Sequence, residues 1–135
     1  MLYLHEIRDW LKSFDAADNY YIGKLDAKKE RSLGVYQSNG SYAPVVALGR
    51  LEAYEIKRIS LLLHWNKNAR ETEQAAYTLY KKLDNLRGSF LLGNTLIYFI
   101  RLSTSEPIDV GTDESGVYER VIWIDFYYQK NKEDE

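Results

Sequence analysis

The stretch NARETEQAAYTLYKKLDNLRG, Asn68 to Gly88, decides the fold. Ala69, Thr72, Ala76, Leu79, Leu83 and Leu86 recur at spacings of three and four, which places them on one stripe of a 3.6-residue period. Asn68 precedes the stripe and Glu71 stands three residues on. An Asn side chain can accept from the exposed N–H near Glu71 while the Glu carboxylate reaches back, so two orphan donors are satisfied together. Glu71 and Glu73 lie near the positive end of the helix, and Lys81, Lys82 and Arg87 near the negative end. Gly88 can take the left-handed conformation that stops it. The spacing therefore predicts a helix whose mid-stripe residues, Leu79 and Leu83, face the core.

Strand-like runs flank this helix. In Ile56–Trp65, Ile59, Leu61, Leu63 and Trp65 form an apolar side, against a mixed side of Ser60, Leu62 and His64. In Val117–Tyr128, Ile122, Ile124, Phe126 and Tyr128 alternate with Val121, Trp123, Asp125 and Tyr127. Both sides of that run are largely apolar, so it should be central in a sheet. Ser89–Leu92 and Asn94–Leu102 flank Gly93-Asn94, a tight-hairpin signal. Leu4, Ile7, Leu11 and Phe14 predict a first amphipathic helix from about Leu2 to Phe14. Tyr20–Lys24 and Ser32–Ser38 read as short strands joined by a charged connection. Asn39-Gly40 is a turn signal, and Pro44 marks Tyr42–Gly49 as an edge strand or a strand start. Ser103–Gly116 reads as a loop or extended arm, and residues 130–135 as a frayed polar tail. The expected architecture is one α+β domain over residues 1–135, with a mixed, largely antiparallel sheet and two helices packed on it.

Composition narrows the function classes. At 135 residues the chain can bury a core without metal or disulfide staples. Cysteine is absent, which excludes disulfides, thiol nucleophiles and cysteine-bound zinc. No secretory leader and no membrane-length apolar run is visible. The net charge is −2 with the signs interspersed, so no global pull toward nucleic acid or anionic membrane is expected. Tyrosine is abundant, at 12 residues, which fits strand faces and protein–protein interfaces.

Catalytic patterns are sparse. His5 and Asp9 share a helix face, but no second histidine is near enough in sequence to build a metal site. His64 belongs to a strand and is expected to be a satisfied structural histidine. No glycine-rich phosphate cradle occurs, and basic residues form no stripe, so no cofactor and no sequence-specific nucleic-acid partner is implied. The alternative of a small ligand-binding or enzymatic domain would need an unrecognised pocket, for which the Trp65–Trp123 region is the candidate.

Four segments carry a resemblance: GKLDAKKERSLGVYQ (Gly23–Gln37), VVALG (Val45–Gly49), ISLLLHWNKNARETEQAAYTLYKKL (Ile59–Leu83) and EPIDVGTDESGVYERVIWIDFYY (Glu106–Tyr128). In order and spacing the chain resembles the minor capsid proteins of tailed bacteriophages and prophages, of the tail-terminator or tail-completion class encoded among head–tail joining genes. The resemblance covers nearly the whole chain. It implies a structural virion protein without enzymatic residues, present in the host cytoplasm during assembly. It also implies a homo-oligomeric ring, expected to be a hexamer, that closes the tail tube and meets tail-tube and head-connector proteins. On that reading the candidate subunit or partner contacts are Tyr42, Glu106, Asp109, Asp113, Glu114 and Tyr118. Charge reversal at Asp113 and Glu114 is then expected to leave folding stability alone.

Overall fold

The computed structural model describes residues 1–38 and 54–130. The expected Asn39-Gly40 turn, the Tyr42–Gly49 strand and the end of the polar tail lie outside the described residues. The elements are α1 (Leu4–Lys12), β1 (Asn19–Ile22), β2 (Ser32–Gln37), β3 (Tyr54–His64), α2 (Ala69–Asp84), β4 (Phe90–Leu92), β5 (Thr95–Leu102), β6 (Ile108–Thr112) and β7 (Tyr118–Gln129). Together they make an α+β fold with a mixed, mostly antiparallel, curled sheet.

α2 starts where its cap dictates. The Asn68 side chain accepts from the Glu71 N–H at 3.0 Å. The second half of the expected box is wired differently. The Asn68 N–H donates to Asn66 Oδ1 at 2.9 Å, and Asn66 Nδ2 donates to Glu71 Oε1 at 3.0 Å. Asn66 thus stands between the two groups and satisfies both. The buried face is Thr72, Ala76, Leu79, Tyr80 and Leu83. Ala69 is exposed in the first turn, and the unexpected member is Tyr80, whose hydroxyl donates to Thr104 O at 2.7 Å. The helix ends at Asn85 in right-handed geometry, and Gly88, with φ +75°, turns the chain three residues later.

α1 is shorter than its apolar repeat. Tyr3 is extended, and its N–H donates to Glu6 Oε1 at 2.9 Å, so the helix begins at Leu4. Leu2 is nevertheless fully buried, and Phe14 packs on the core past the helix end. Lys82 Nζ donates to Phe14 O at 2.7 Å, tying α2 to the chain leaving α1. Trp10 fills the space between α1 and the sheet, with ring centroids 5.3 Å from Phe90 and 5.7 Å from Phe126.

The sheet runs β1-β2-β3-β7-β5-β4, and β6 also pairs with β7. β7 is central: β3 covers one edge from Tyr54↔Gln129 to His64↔Glu119. The other edge is divided, with β5 opposite its C-terminal half (Leu102↔Ile124) and β6 opposite its N-terminal half (Ile108↔Val121). The acidic segment Ser103–Gly116 is therefore not a free arm. Its centre is a strand, recruited by an edge of β7 that β5 leaves open. The one parallel pair among the described strands is β1 with β2. The connection between them crosses the sheet at Gly34, where an added Cβ would sit 2.7 Å from the Tyr36 ring and 3.2 Å from Leu25.

Alternation sorts the two faces. Ile59, Leu61, Leu63, Ile122, Ile124, Phe126 and Tyr128 are buried on the face that carries both helices. Their neighbours Arg58, Ser60, Leu62, Trp123, Asp125 and Tyr127 point to the other face, which is helix-free among the described residues. Core burial of Leu83 predicts that Leu83→Ala costs about 2–5 kcal/mol, while exposed Gln74→Ala stays within about 0.5 kcal/mol. Asn68→Ala should cost about 0.5–2 kcal/mol and Asn68→Gly only a few tenths. Urea melts of the four variants check both assignments.

Candidate functional site

The acidic segment is held from within. Asp113 Oδ1 accepts from Ser115 N–H at 2.9 Å and Val117 N–H at 3.0 Å, closing the turn between β6 and β7. Its other oxygen lies 3.8 Å from His64 Nδ1. The Val117 N–H above all, with Ser115 and the His64 ring in support, holds the Asp113 carboxyl below its usual range. Asp113 is thus a turn residue, and reversing its charge would disturb the fold. Asp109 behaves similarly: it accepts from the Gly111 N–H at 2.9 Å and faces Arg120 at 3.7 Å. Glu106 and Glu114 are exposed. Tyr118 is half-buried, and its backbone bonds to Asn66 O and Trp65 N–H extend the β3–β7 ladder. Tyr42 lies outside the described residues.

His64 is a structural bridge. It is fully buried, with Nδ1 at 2.8 Å from Glu119 Oε2 and Nε2 at 2.8 Å from Ala27 O. A carbonyl can only accept, so Nε2 carries a proton. The ring joins the β1–β2 connection to the start of β7 and has no open side for a substrate.

Trp65 and Trp123 do not share a pocket, although Trp65 lines a cleft of about 270 Å³ with Arg31, Ala75, Leu79 and Lys82. Trp65 packs into the core under α2, whereas Trp123 is 44% exposed on the helix-free face, so the sheet separates them. A shallow cleft of about 370 Å³ lies elsewhere, between α2 and the β5–β6 connection, lined by Glu73, Gln74, Tyr77, Glu106, Pro107 and Arg120. Among the described residues, no group of three His, Cys, Asp or Glu side chains is placed to hold a metal ion. No helix among them is long and apolar enough to cross a membrane.

The helix-free face was not singled out by sequence. Asp125 is fully buried there, between Arg58 Nε at 3.2 Å and Arg101 Nη2 at 3.4 Å, its register partners on β3 and β5. Around it stand Trp123, Phe99 at 48% exposure, and Tyr127, whose ring stacks on Phe99 at 4.3 Å. Tyr54 adds a tilted contact to Tyr127 at 6.0 Å. The available signal was an aspartate in the middle of a long apolar strand, which demands charged partners on its neighbours.

The Asp113 geometry has a pH consequence. A carboxyl held low in the folded state stabilises the fold above its unfolded value, near pH 4, and that stability is lost as pH falls through the folded value. Asp113→Asn should flatten this acid limb, because the amide does not titrate. Thermal melts of both proteins from neutral pH down to about pH 2 check it; an unchanged limb would remove Asp113 as its source.

No curated protein sequence matches the chain. The family model of the bacteriophage tail terminator protein matches residues 4–130, which spans both helices and every described strand. This chain belongs to the bacteriophage tail terminator protein family.

Proposed function

We propose that copies of this chain close into a ring, a hexamer, that caps the phage tail tube and joins it to the head. Family membership makes the chain a structural protein of the phage tail, not an enzyme. The match from residue 4 to residue 130 carries the reading. The helix-free face supports it: Phe99 and Trp123 expose aromatic surface that a solitary subunit gains nothing by displaying. In this reading the partners are further copies of the chain, the tail-tube protein and the head connector. The protein resides in the virion and, during assembly, in the host cytoplasm. Glu106 and Glu114, both exposed, and Tyr42 remain proposed contacts, with Asp109, Asp113 and Tyr118 shaping the segment that presents them.

Two measurements test this. Light scattering across a concentration series should show a discrete closed oligomer rather than open-ended growth. Deleting the gene should leave heads and tails unjoined in electron micrographs, and adding back the purified protein should restore infectious particles. Normal joined particles without the gene would refute the proposal.

A further inference from the structure

The two sides of the sheet carry complementary chemistry. On the helix-free face the Arg101 side chain is 57% exposed. Its contact with Asp125 is long at 3.4 Å, and Asp125 already holds Arg58 on its other oxygen. Much of the Arg101 guanidinium therefore faces solvent, with Phe99 and Trp123 exposed nearby. On the α2 side, Glu73 and Glu106 line the cleft. Arg120 lies inside it at 16% side-chain exposure, 4.0 Å from Glu73 and 3.7 Å from Asp109. Two carboxylates thus flank the Arg120 guanidinium and Glu106 adds a third to the cleft wall, while Tyr77, 47% exposed, stands at the rim with Lys81 Nζ 5.2 Å from its ring centroid. Carboxylates and aromatic faces are the groups that a planar guanidinium binds best.

We propose that the Arg101 face of one copy, with Phe99 and Trp123, docks on the Glu73–Glu106 cleft of the next copy. The inference rests on the ring reading and supplies its interface. A patch and its complement on opposite faces of one sheet cannot meet within one subunit. They can meet between copies, and a contact between two different patches repeats head to tail, as ring closure requires. A two-fold pairing through the Arg101 face would leave the carboxylate cleft of each copy, on the opposite side of the sheet, unmatched.

The experiment is a charge swap read by light scattering, with melting curves as the folding control. Arg101→Glu alone, and Glu73→Lys with Glu106→Lys, should each move the self-association midpoint at least about tenfold higher in concentration. Combining all three substitutions in one chain should recover most of the loss. Glu at 101 would face Asp125, so Phe99→Ser serves as a second variant of the same face that keeps both arginines. It too should weaken association. Wild-type association by Arg101→Glu and Phe99→Ser, or a combined variant as weak as its parts, overturns the interface while leaving the ring intact. Variants that assemble normally yet fail to bind tail tubes assign the face to the tube protein instead, which also overturns it. A wild-type protein that stays monomeric both in solution and on tail tips overturns the ring and the interface together.

Discussion

The ladder between β3 and β7 sets the terms for the rest of the molecule. It runs from Tyr54↔Gln129 to His64↔Glu119, and every other strand or helix is placed by reference to it. A strand in that position must satisfy two faces. Apolar alternation does this on the helix side, where Ile59, Leu61, Ile122, Ile124 and Phe126 are buried under α1 and α2. On the other side a charge does part of the work. Asp125 meets Arg58 from β3 and Arg101 from β5 only when both neighbours are in register. A slip of one residue would send Asp125 to the apolar face and leave it without a partner. Fully buried pairs typically cost about 3–5 kcal/mol to break, and the cost here is smaller because the Arg58 and Arg101 side chains keep 31% and 57% exposure. The triad therefore acts as a register lock, in a strand whose apolar residues on both faces would otherwise tolerate slippage.

Elements with a strong period were readable in the sequence. α2, β3, β7 and the β4–β5 hairpin at Gly93 fall where alternation, caps and turn residues place them. The departures have local causes. Ala69 belongs to the apolar repeat, but it lies in the first turn and stays in solvent. Tyr80 buries its ring and sends its hydroxyl to Thr104 O, a compromise that a stripe of aliphatic residues does not reveal. β6 lies in a segment that reads as a loop or arm because Gly, Pro and Asp residues surround its β-branched Ile108, Val110 and Thr112. Its structure comes from the open edge of β7, a tertiary cause that local propensity cannot show.

The candidate contacts were legible in part. Acidic residues between two strands read as a solvated segment reaching outward. Glu106 and Glu114 are indeed exposed, yet Asp113 turns inward on its own backbone and Asp109 divides itself between Gly111 and Arg120. Asp followed by small residues is as much a turn signal as a charge signal, and here the turn prevails. The aromatic face is hidden in the sequence for the opposite reason. Trp123 and Tyr127 sit in a strand apolar on both sides, and that pattern implies burial on both sides. It does not say whether a helix or another molecule supplies the cover.

The parallel pairing of β1 with β2 bears on that last question. Parallel neighbours require a crossing connection, and residues 23–31 make it over the helix-free face, with Leu25 against Gly34 and Ala27 O on His64. Chain thus covers the end of the face near β2 and His64. The end near β5, where Phe99, Arg101 and Trp123 lie, keeps its exposure. Had the connection crossed there, the aromatics would be core and the subunit would have two polar surfaces. Because it crosses at one end, the sheet keeps a one-sided aromatic patch whose charge is complemented behind it, beside α2. A subunit with that asymmetry cannot satisfy both patches in a two-fold pair. In the proposed ring, each added copy would leave the same pair of patches at the two ends of the row of subunits, until the last copy met the first.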